Sequence, residues 1–427
     1  MKKILLLLCL VLALPCQAQN NLTLEYCLVQ ADKNYPLLKQ YGLIEQTRDV
    51  SLSDINRGWL PRVGIYAQAT GQNIVPHFPE MLSDMLTQMG QEMRGLGKIQ
   101  YKVGADITQT IWDGGISKAQ REIERASADI STASVSVGMY AMHQKVIDVF
   151  FANLLIDEQI AQTKLTIDLL SANLKRVEAM VNHGTAMQSD ADMIEAQLLS
   201  VRQALTTAES ARTGYRTVLS IYIGEDTTNS LLETPDNATP LGIESNRPEL
   251  HLYESQKNMN KSRIKATEAA VMPRAGFFAQ AYYGYPGINY FESMINRKLS
   301  FNIVAGVKLS WNLDALYTKN NSIKKIETDN ARIESERETF LFNSNVQTQT
   351  QLQKIDGLRD AMKSDSRIVE LREKVRKAAE SQLVNGVIDT TTLLSKITDE
   401  NQACLIQSLH KIELIQEIYR LKYILNQ

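Results

Sequence analysis

Two separate landmarks of this chain return at one shared spacing. Asn34-Tyr35-Pro36 comes back as Asn246-Arg247-Pro248, and Pro61-Arg62-Val63-Gly64 comes back as Pro273-Arg274-Ala275-Gly276. Pro36 to Pro248 and Pro61 to Pro273 are equal steps, so the sequence is internally duplicated. A unit repeated within one chain, and again around a symmetry axis, is a way to build a tube. The repeat divides the chain into a first unit over 19–223, a linker over 224–245 and a second unit over 246–427. Further along, the step shortens between Asp113 and Asp314 and between Gly184 and Gly386, so the first half carries an insertion. The insertion is the stretch striped by Met81, Met85, Met89 and Met93, with Leu82, Leu86 and Leu96 beside them. Thioethers suit copper or silver, but methionine at helical spacing usually packs. A short amphipathic helix is expected there.

The N-terminus reads as a secretory signal over residues 1–18, with Lys2 and Lys3, an apolar run from Ile4 to Leu14, and Ala18 at the cut. That run is too short to cross a bilayer, which takes ~20 apolar residues. Cys16 raises the alternative of a lipid-modified cysteine, for which Pro15 before it is a poor fit. No other run is long and apolar enough for a membrane helix, whereas barrel strands escape hydropathy scans. The formal charge of −2 is no nucleic-acid footprint. Cys27 and Cys404 are the cysteines of the mature chain, and their apolar flanks suit buried thiols better than a bond. The 5 histidines are scattered, with no metal-ligand spacing and no acid–base–nucleophile set. No enzyme, metal or cofactor is expected.

Four segments read as very long helices. Ile116 to about His183 holds no proline. Ala119, Ala126, Ala133, Tyr140, Ile147, Leu154 and Ala161 recur there in heptad step, with Ile123, Ile130, Val137 and Phe151 as a second line. A second helix is expected over Ser189–Tyr222. The other half gives Tyr317–Val384, with Ile355, Met362 and Val369 in step, and Thr390–Leu425, with Leu405, Ile412 and Tyr419 in step. Gly184 and Gly386 are placed as C-terminal caps at the turns of two helical hairpins. The opposite faces hold Gln144, Gln159, Gln347, Thr348, Gln349 and Gln351, a polar wall suited to water.

Between the helices the period changes to two. Val63, Ile65, Ala67 and Ala69 alternate with polar neighbours, as do Val103, Ala105 and Ile107, then Phe277, Ala279, Ala281 and Tyr283, then Leu299 to Leu309. Strands of about 9–11 residues with one apolar face suit a lipid-facing barrel. Trp59, Trp112, Trp311, Tyr285 and Tyr290 near the strand ends suit an interfacial girdle. A soluble sheet core is the alternative. Pro61 and Pro273 stop the preceding helices. Asp113 caps the first long helix after a sharp turn through Gly114 and Gly115. Four strands cannot close a barrel, so several chains would share one, either a dimer of about 8 strands or a trimer of about 12.

Leu22-Thr23-Leu24-Glu25, Asn34-Tyr35-Pro36, Leu60-Pro61-Arg62, Ile111-Trp112-Asp113-Gly114-Gly115 and Asn182-His183-Gly184 follow one another in the first half. Asn246-Arg247-Pro248, Pro273-Arg274, Asn312-Leu313-Asp314 and Val384-Asn385-Gly386 follow in the second. In this order the set resembles the TolC family of outer membrane efflux proteins over essentially the whole mature chain. The resemblance implies a mainly α protein with a membrane β-barrel: four strands per protomer in a shared 12-stranded barrel of a homotrimer, and long antiparallel coiled-coil helices forming a periplasmic tunnel. It implies an outer membrane location, a periplasmic adaptor and an inner-membrane pump of RND, ABC or MFS type. It also implies a gate at the hairpin tips with an acidic cation filter. The family's acidic position falls on Asp190 in the first half, but on Thr392 and Ser395 in the second. The gate candidates are therefore Asp190, Asp192 and Asp389. Asp314-Ala315 also departs from the Asp-Gly-Gly pattern, so a less sharp second turn is expected. An outer membrane exit duct for efflux is the leading reading. The same duct for type I protein secretion, or a periplasmic coiled-coil scaffold without a barrel, are the alternatives.

Overall fold

The computed structural model describes residues 22–90, 95–236 and 245–426. The signal segment with Cys16, the last methionine of the stripe, Met93, and part of the 224–245 linker lie outside the described residues. The first half runs α1 (Leu24–Asn34), a 3-10 turn (Pro36–Leu38), α2 (Lys39–Arg57), β1 (Arg62–Gly71), α3 (Glu80–Gln88), β2 (Ile99–Trp112), α4 (Ile116–Asn182) and α5 (Gln188–Ile223). The second runs α6 (Pro248–Ala270), β3 (Arg274–Tyr285), α7 (Tyr290–Asn296), β4 (Ser300–Ser310), α8 (Asp314–Val384) and α9 (Thr390–Leu425). The order of long elements repeats, and a short helix stands between the strands of each pair. The chain divides into a helical unit (Met1–Tyr41, Ala133–Leu252, Glu336–Gln427) and a sheet unit (Gly42–Thr132, Tyr253–Ser335).

In the helical unit the repeated asparagines have matching jobs. Helix α5 ends on Gly224 at φ 76. The Asn34 amide donates to the carbonyls of Ile221 at 2.9 Å and Tyr222 at 3.1 Å, satisfying orphan acceptors of that helix end. In the second half the Asn246 N–H donates to the Leu425 carbonyl at 2.9 Å, at the end of α9. Each Asn-x-Pro landmark thus meets the end of its own half's last helix, by a side chain in one case and the backbone in the other. Tyr26, just after the Thr23 cap of α1, donates to Glu225 at 2.9 Å.

The heptad lines of α4 hold for much of their length. Ala119, Ala126, Ala133, Ile147, Phe151 and Leu154 are buried, Ile123, Ile130, Val137 and Tyr140 half-buried. Ala161, expected on the same seam, is exposed, and burial passes to Ile160, Leu170 and Val177 instead. A straight helix drifts ~20° per heptad, so a fixed seven-residue line rotates off the packed face. In the second half Ile355 is fully buried with Ile418, Leu421 and Leu425, while Met362, Val369, Leu405, Ile412 and Tyr419 are half-buried.

The sheet unit holds four antiparallel strands in the order β1-β2-β3-β4. Its register sets Val63 opposite Ile107, Ile107 opposite Ala279, and Ala279 opposite Ala305. Directly opposed residues share a face, and side chains alternate along each strand. One face therefore collects Ile65, Val103, Tyr283, Ile303, Val307 and Leu309, all exposed in the protomer. The other collects Tyr66, Gln68, Lys102, Asp106, Gln280, Tyr282 and Asn302. Strand β2 runs longer than expected, and a bulge shifts its register from Thr110↔Gly276 to Trp112↔Ala275. The extra residue, Ile111, turns Trp112 away from the polar face of Thr110 and onto the apolar face of Ala275 and Leu309.

Two expectations near the strand ends change. Tyr285, grouped with the girdle aromatics, is buried with Leu96 and Met294, and its phenol accepts from the Gly97 N–H at 2.6 Å. The methionine helix forms as α3, yet Met81 and Met85 on it and Met89 just beyond it are exposed rather than packed.

Candidate functional site

The two helical hairpins end in matched turns. At the first, the N–H of Gly184 donates to the Val181 carbonyl and that of Thr185 to the Met180 carbonyl, both at 2.9 Å. At the second, Gly386 donates to Leu383 and Val387 to Gln382, again both at 2.9 Å. This paired pattern, with glycine φ of 68 and 73, is the Schellman C-cap. Both glycines therefore sit where the sequence placed them, for the left-handed backbone that the cap requires.

The three acidic candidates open the return helices. Asp190, half-buried, accepts from the Met187 N–H at 3.0 Å, the side-chain-to-backbone half of a capping box at the start of α5. Asp192 is exposed and accepts from the Gln188 amide at 2.8 Å. Asp389 is the N-cap of α9 and accepts from the Thr392 N–H at 2.8 Å and its hydroxyl at 2.6 Å. The two helix starts meet, with the Thr391 hydroxyl against the Met193 sulfur at 3.6 Å. Asp190 and Asp389 bond backbone N–H groups at their helix starts, whereas Asp192 bonds only the Gln188 side chain.

The Thr392 side chain and then its N–H hold the Asp389 carboxyl below the usual carboxylate range. A depressed folded pKa adds stability that is complete above the ordinary value and disappears as pH falls through the folded one. Protection of the Thr392 amide from hydrogen exchange should therefore fall only in acid below the ordinary aspartate range. Asp389→Asn should flatten that dependence; an unchanged profile in the variant would remove the cap from the account.

Below the turns all four long helices share one apolar core: Leu170 and Val177 of α4, Ala191, Ile194 and Leu198 of α5, Ala379 and Leu383 of α8, and Leu393 and Ile397 of α9. Beside it lies an ionic network that no short motif announces. Arg376 donates to Glu400 across helices and to Glu380 at 2.8 Å on its own helix. Glu380 also accepts from Asn173 of α4 at 3.4 Å, and Arg176 approaches it at 3.9 Å. The network joins α4, α8 and α9 close to the tip. Its signal in the sequence is weak, because its members are far apart and each looks like an ordinary helix-surface charge.

At the first strand exit Asp113 accepts from the Gly115 N–H at 2.9 Å and the Ser117 N–H at 2.7 Å. Burial would raise its carboxyl, but these hydrogen bonds outweigh it and hold it below the usual range. Gly114 and Gly115 stand at φ 72 and 94. A Cβ on Gly114 would lie 2.6 Å from Cβ of Met272. Gly114→Ala is therefore expected to destabilise the protein by about 1–3 kcal/mol through combined strain and overlap, read from urea unfolding. The second exit differs: α8 begins at Asp314 itself rather than near Tyr317, with no left-handed residue in the connection. Pro61 and Pro273 stand in the bends after α2 and α6, each one residue before its strand. Trp112 and Trp311 are exposed and Trp59 is half-buried. The Trp311 indole donates to the Val271 carbonyl at 2.9 Å.

Among the described residues no group of acidic, His or Cys side chains is arranged to hold a metal, and no helix is long and apolar enough to cross a membrane. Cys27 and Cys404 are free. Burial pushes the Cys27 thiol up to about 12, so it stays protonated.

No protein-family model and no curated protein matches the chain. Solved structures do. The outer-membrane channel OprN matches at TM-score 0.70 and 14% identity, over 94% of this chain and 89% of that one. The outer membrane protein VceC from Vibrio cholerae matches at TM-score 0.67 and 10% identity, over 94% of each chain. The outer membrane channel CmeC of Campylobacter jejuni matches at TM-score 0.66 and 11% identity, over 94% of this chain and 85% of that one. The chain has the TolC-like outer membrane channel fold. That likeness spans 94% of this chain. Three features escaped the sequence reading of it: the bulge at Ile111, the Arg376 network, and the gathering of basic residues at one end of the sheet. Strand parity already placed Arg62, Lys102, Arg274 and Lys308 on one face, and that signal was available for the last of these.

Proposed function

We propose that the protein is the outer membrane exit duct of a tripartite efflux system. In this reading three copies combine their four-stranded sheets into one 12-stranded barrel in the outer membrane. The long hairpins of both repeats form the periplasmic tunnel. Conduction is passive and no chemistry is catalysed; energy comes from an inner-membrane pump of RND, ABC or MFS type, coupled through a periplasmic adaptor. Export by a cleavable signal segment delivers the chain to that site.

The observation that carries the proposal is the sheet. Its apolar face carries exposed side chains on all four strands, every charged strand residue lies on the opposite face, and among the described residues β1 and β4 each have an unpaired edge. Lipid suits the first face, water suits the second, and open edges do not persist in lipid. Neighbouring copies satisfy those edges. Trp112 and Trp311 on the strand ends, with Trp59 near them, are suited to the lipid–water boundary.

Asp190, Asp192 and Asp389 are the proposed gate and cation-filter residues, because a ring of carboxylates around a narrow axis attracts cations. Replacing Asp190 and Asp192 with Asn should weaken cation selectivity or raise leak conductance in planar bilayers. Unchanged selectivity and conductance would remove them from the gate. For the duct itself, the expected result is recovery in the detergent-extracted outer membrane fraction, cross-linking as a trimer. Recovery in the soluble periplasmic fraction would sink it and favour the scaffold alternative.

A further inference from the structure

The charged residues of the four strands are Arg62, Lys102, Asp106, Arg274 and Lys308, and strand parity places all of them on the polar face. Four are cationic and one is acidic. Lys102 is set between two aromatic rings, its ammonium 5.8 Å from the Tyr66 centroid and 5.4 Å from that of Tyr282. The other three bases come from three different strands, and all of them line one cavity of about 630 Å³ at the end of the sheet where the strands leave for α4 and α8. Among the described residues none of Arg62, Arg274 and Lys308 has a carboxylate partner.

Two carboxylates line the same cavity, Asp54 and Asp113. Asp113 is already engaged, with its two oxygens accepting from Gly115 and Ser117. Asp106 lies farther along the sheet, folded over Gly64, where its oxygen is 2.8 Å from the place a Cβ would take. Among the described residues lining the cavity, Asp54 is therefore the acidic side chain left to face three bases. Guanidinium groups are weakly hydrated and present donors in a fork that matches carboxylate, sulfonate and phosphate oxygens. Unpaired like charges gathered on one concave wall repel one another, and an anion relieves that repulsion.

We infer that this cavity is an anion-binding station on the inner wall of the barrel, where its strands join the long helices, and that the cargo the duct suits there is anionic. The inference about cargo rests on the duct reading; the binding site does not. The site selects by charge, and Trp59, Phe277 and Phe278 in its lining also suit an anion with an apolar or aromatic body.

The test uses the full-length protein in detergent with pyranine, a fluorescent trisulfonate, as the probe. Wild type is expected to bind pyranine and to lose affinity as salt rises. Arg274→Gln with Lys308→Gln should weaken binding about tenfold or more, since two of three facing charges are gone. Lys325→Gln, an exposed charge on α8, should leave it unchanged. Equal binding by wild type and the double variant, or none by wild type, would overturn the site. Arg62→Gln alone serves if the double variant does not assemble, with a smaller loss expected in the same direction and equal binding overturning the site. In planar bilayers under a KCl gradient, the double variant should shift the reversal potential toward potassium; no shift would overturn the selectivity role. Pyranine binding that depends on Arg274 and Lys308 in a protein that forms no channels would leave the site standing and remove the duct.

Discussion

A lysine at Ile303 is expected to remove the protein from the outer membrane, while a lysine at the next residue, Val304, leaves it in place. Both side chains are open in the protomer, at 61% and 40% exposure. On a soluble sheet the two substitutions would be nearly equivalent. They differ only in the face they occupy: Ile303 pairs with Ala281 and shares the apolar face, and Val304 pairs with Gln280 on the face of the charged residues. A cation on a lipid-facing barrel position near mid-bilayer costs about 2–4 kcal/mol, and a trimer meets that cost in every copy. The measurement is the yield of detergent-extracted trimer from outer membrane, beside total expression. Equal yields from the two variants would contradict the membrane barrel directly.

Arg376→Met is expected to loosen the hairpin tips without disturbing the sheet. The Arg376 side chain is only 12% exposed, and its partners Glu400 and Glu380 are 11% and 17% exposed. Removing the cation leaves the largely buried Glu400 without its ion partner, and Glu380 with only the Asn173 amide and the more distant Arg176. Breaking a fully buried pair costs about 3–5 kcal/mol, and the residual water here lowers the expectation to about 2–3 kcal/mol. Hydrogen exchange should accelerate in α8 and α9 around these residues, with new protease cuts near Gly184 and Gly386. Adding Glu400→Gln should recover part of the loss, because one of the stranded charges is then gone. Wild-type exchange at the tips in Arg376→Met would refute the role of the network. Under the duct proposal the same variant should raise leak conductance.

Much of this fold was legible along the chain because its signals are local. Gly184 and Gly386 fall where a Schellman cap needs a left-handed residue. Asp113 with Gly114 and Gly115 spells a turn and a cap within a few residues. The alternation from Val63 to Ala69 carries its own face assignment, since the strand period is two whatever the partner. The candidate site was less legible. Asp190 and Asp389 were candidates through the family resemblance, yet their capping partners appear only with the backbone in place.

What the sequence determined by itself was the duplication, the helix limits to within a few residues, and the division of each strand into an apolar and a polar side. These follow from capping chemistry and periodicity, which act within a turn or a pleat. The tertiary structure alone decided where the α4 seam leaves its heptad line after Leu154, which residue of β2 is bulged, which charges meet at Arg376, and that Arg62, Arg274 and Lys308 share one cavity. Each of these depends on the rotation or register of one element against another distant in sequence. Local periodicity says which way a side chain points from its own backbone, but only packing fixes what it finds there.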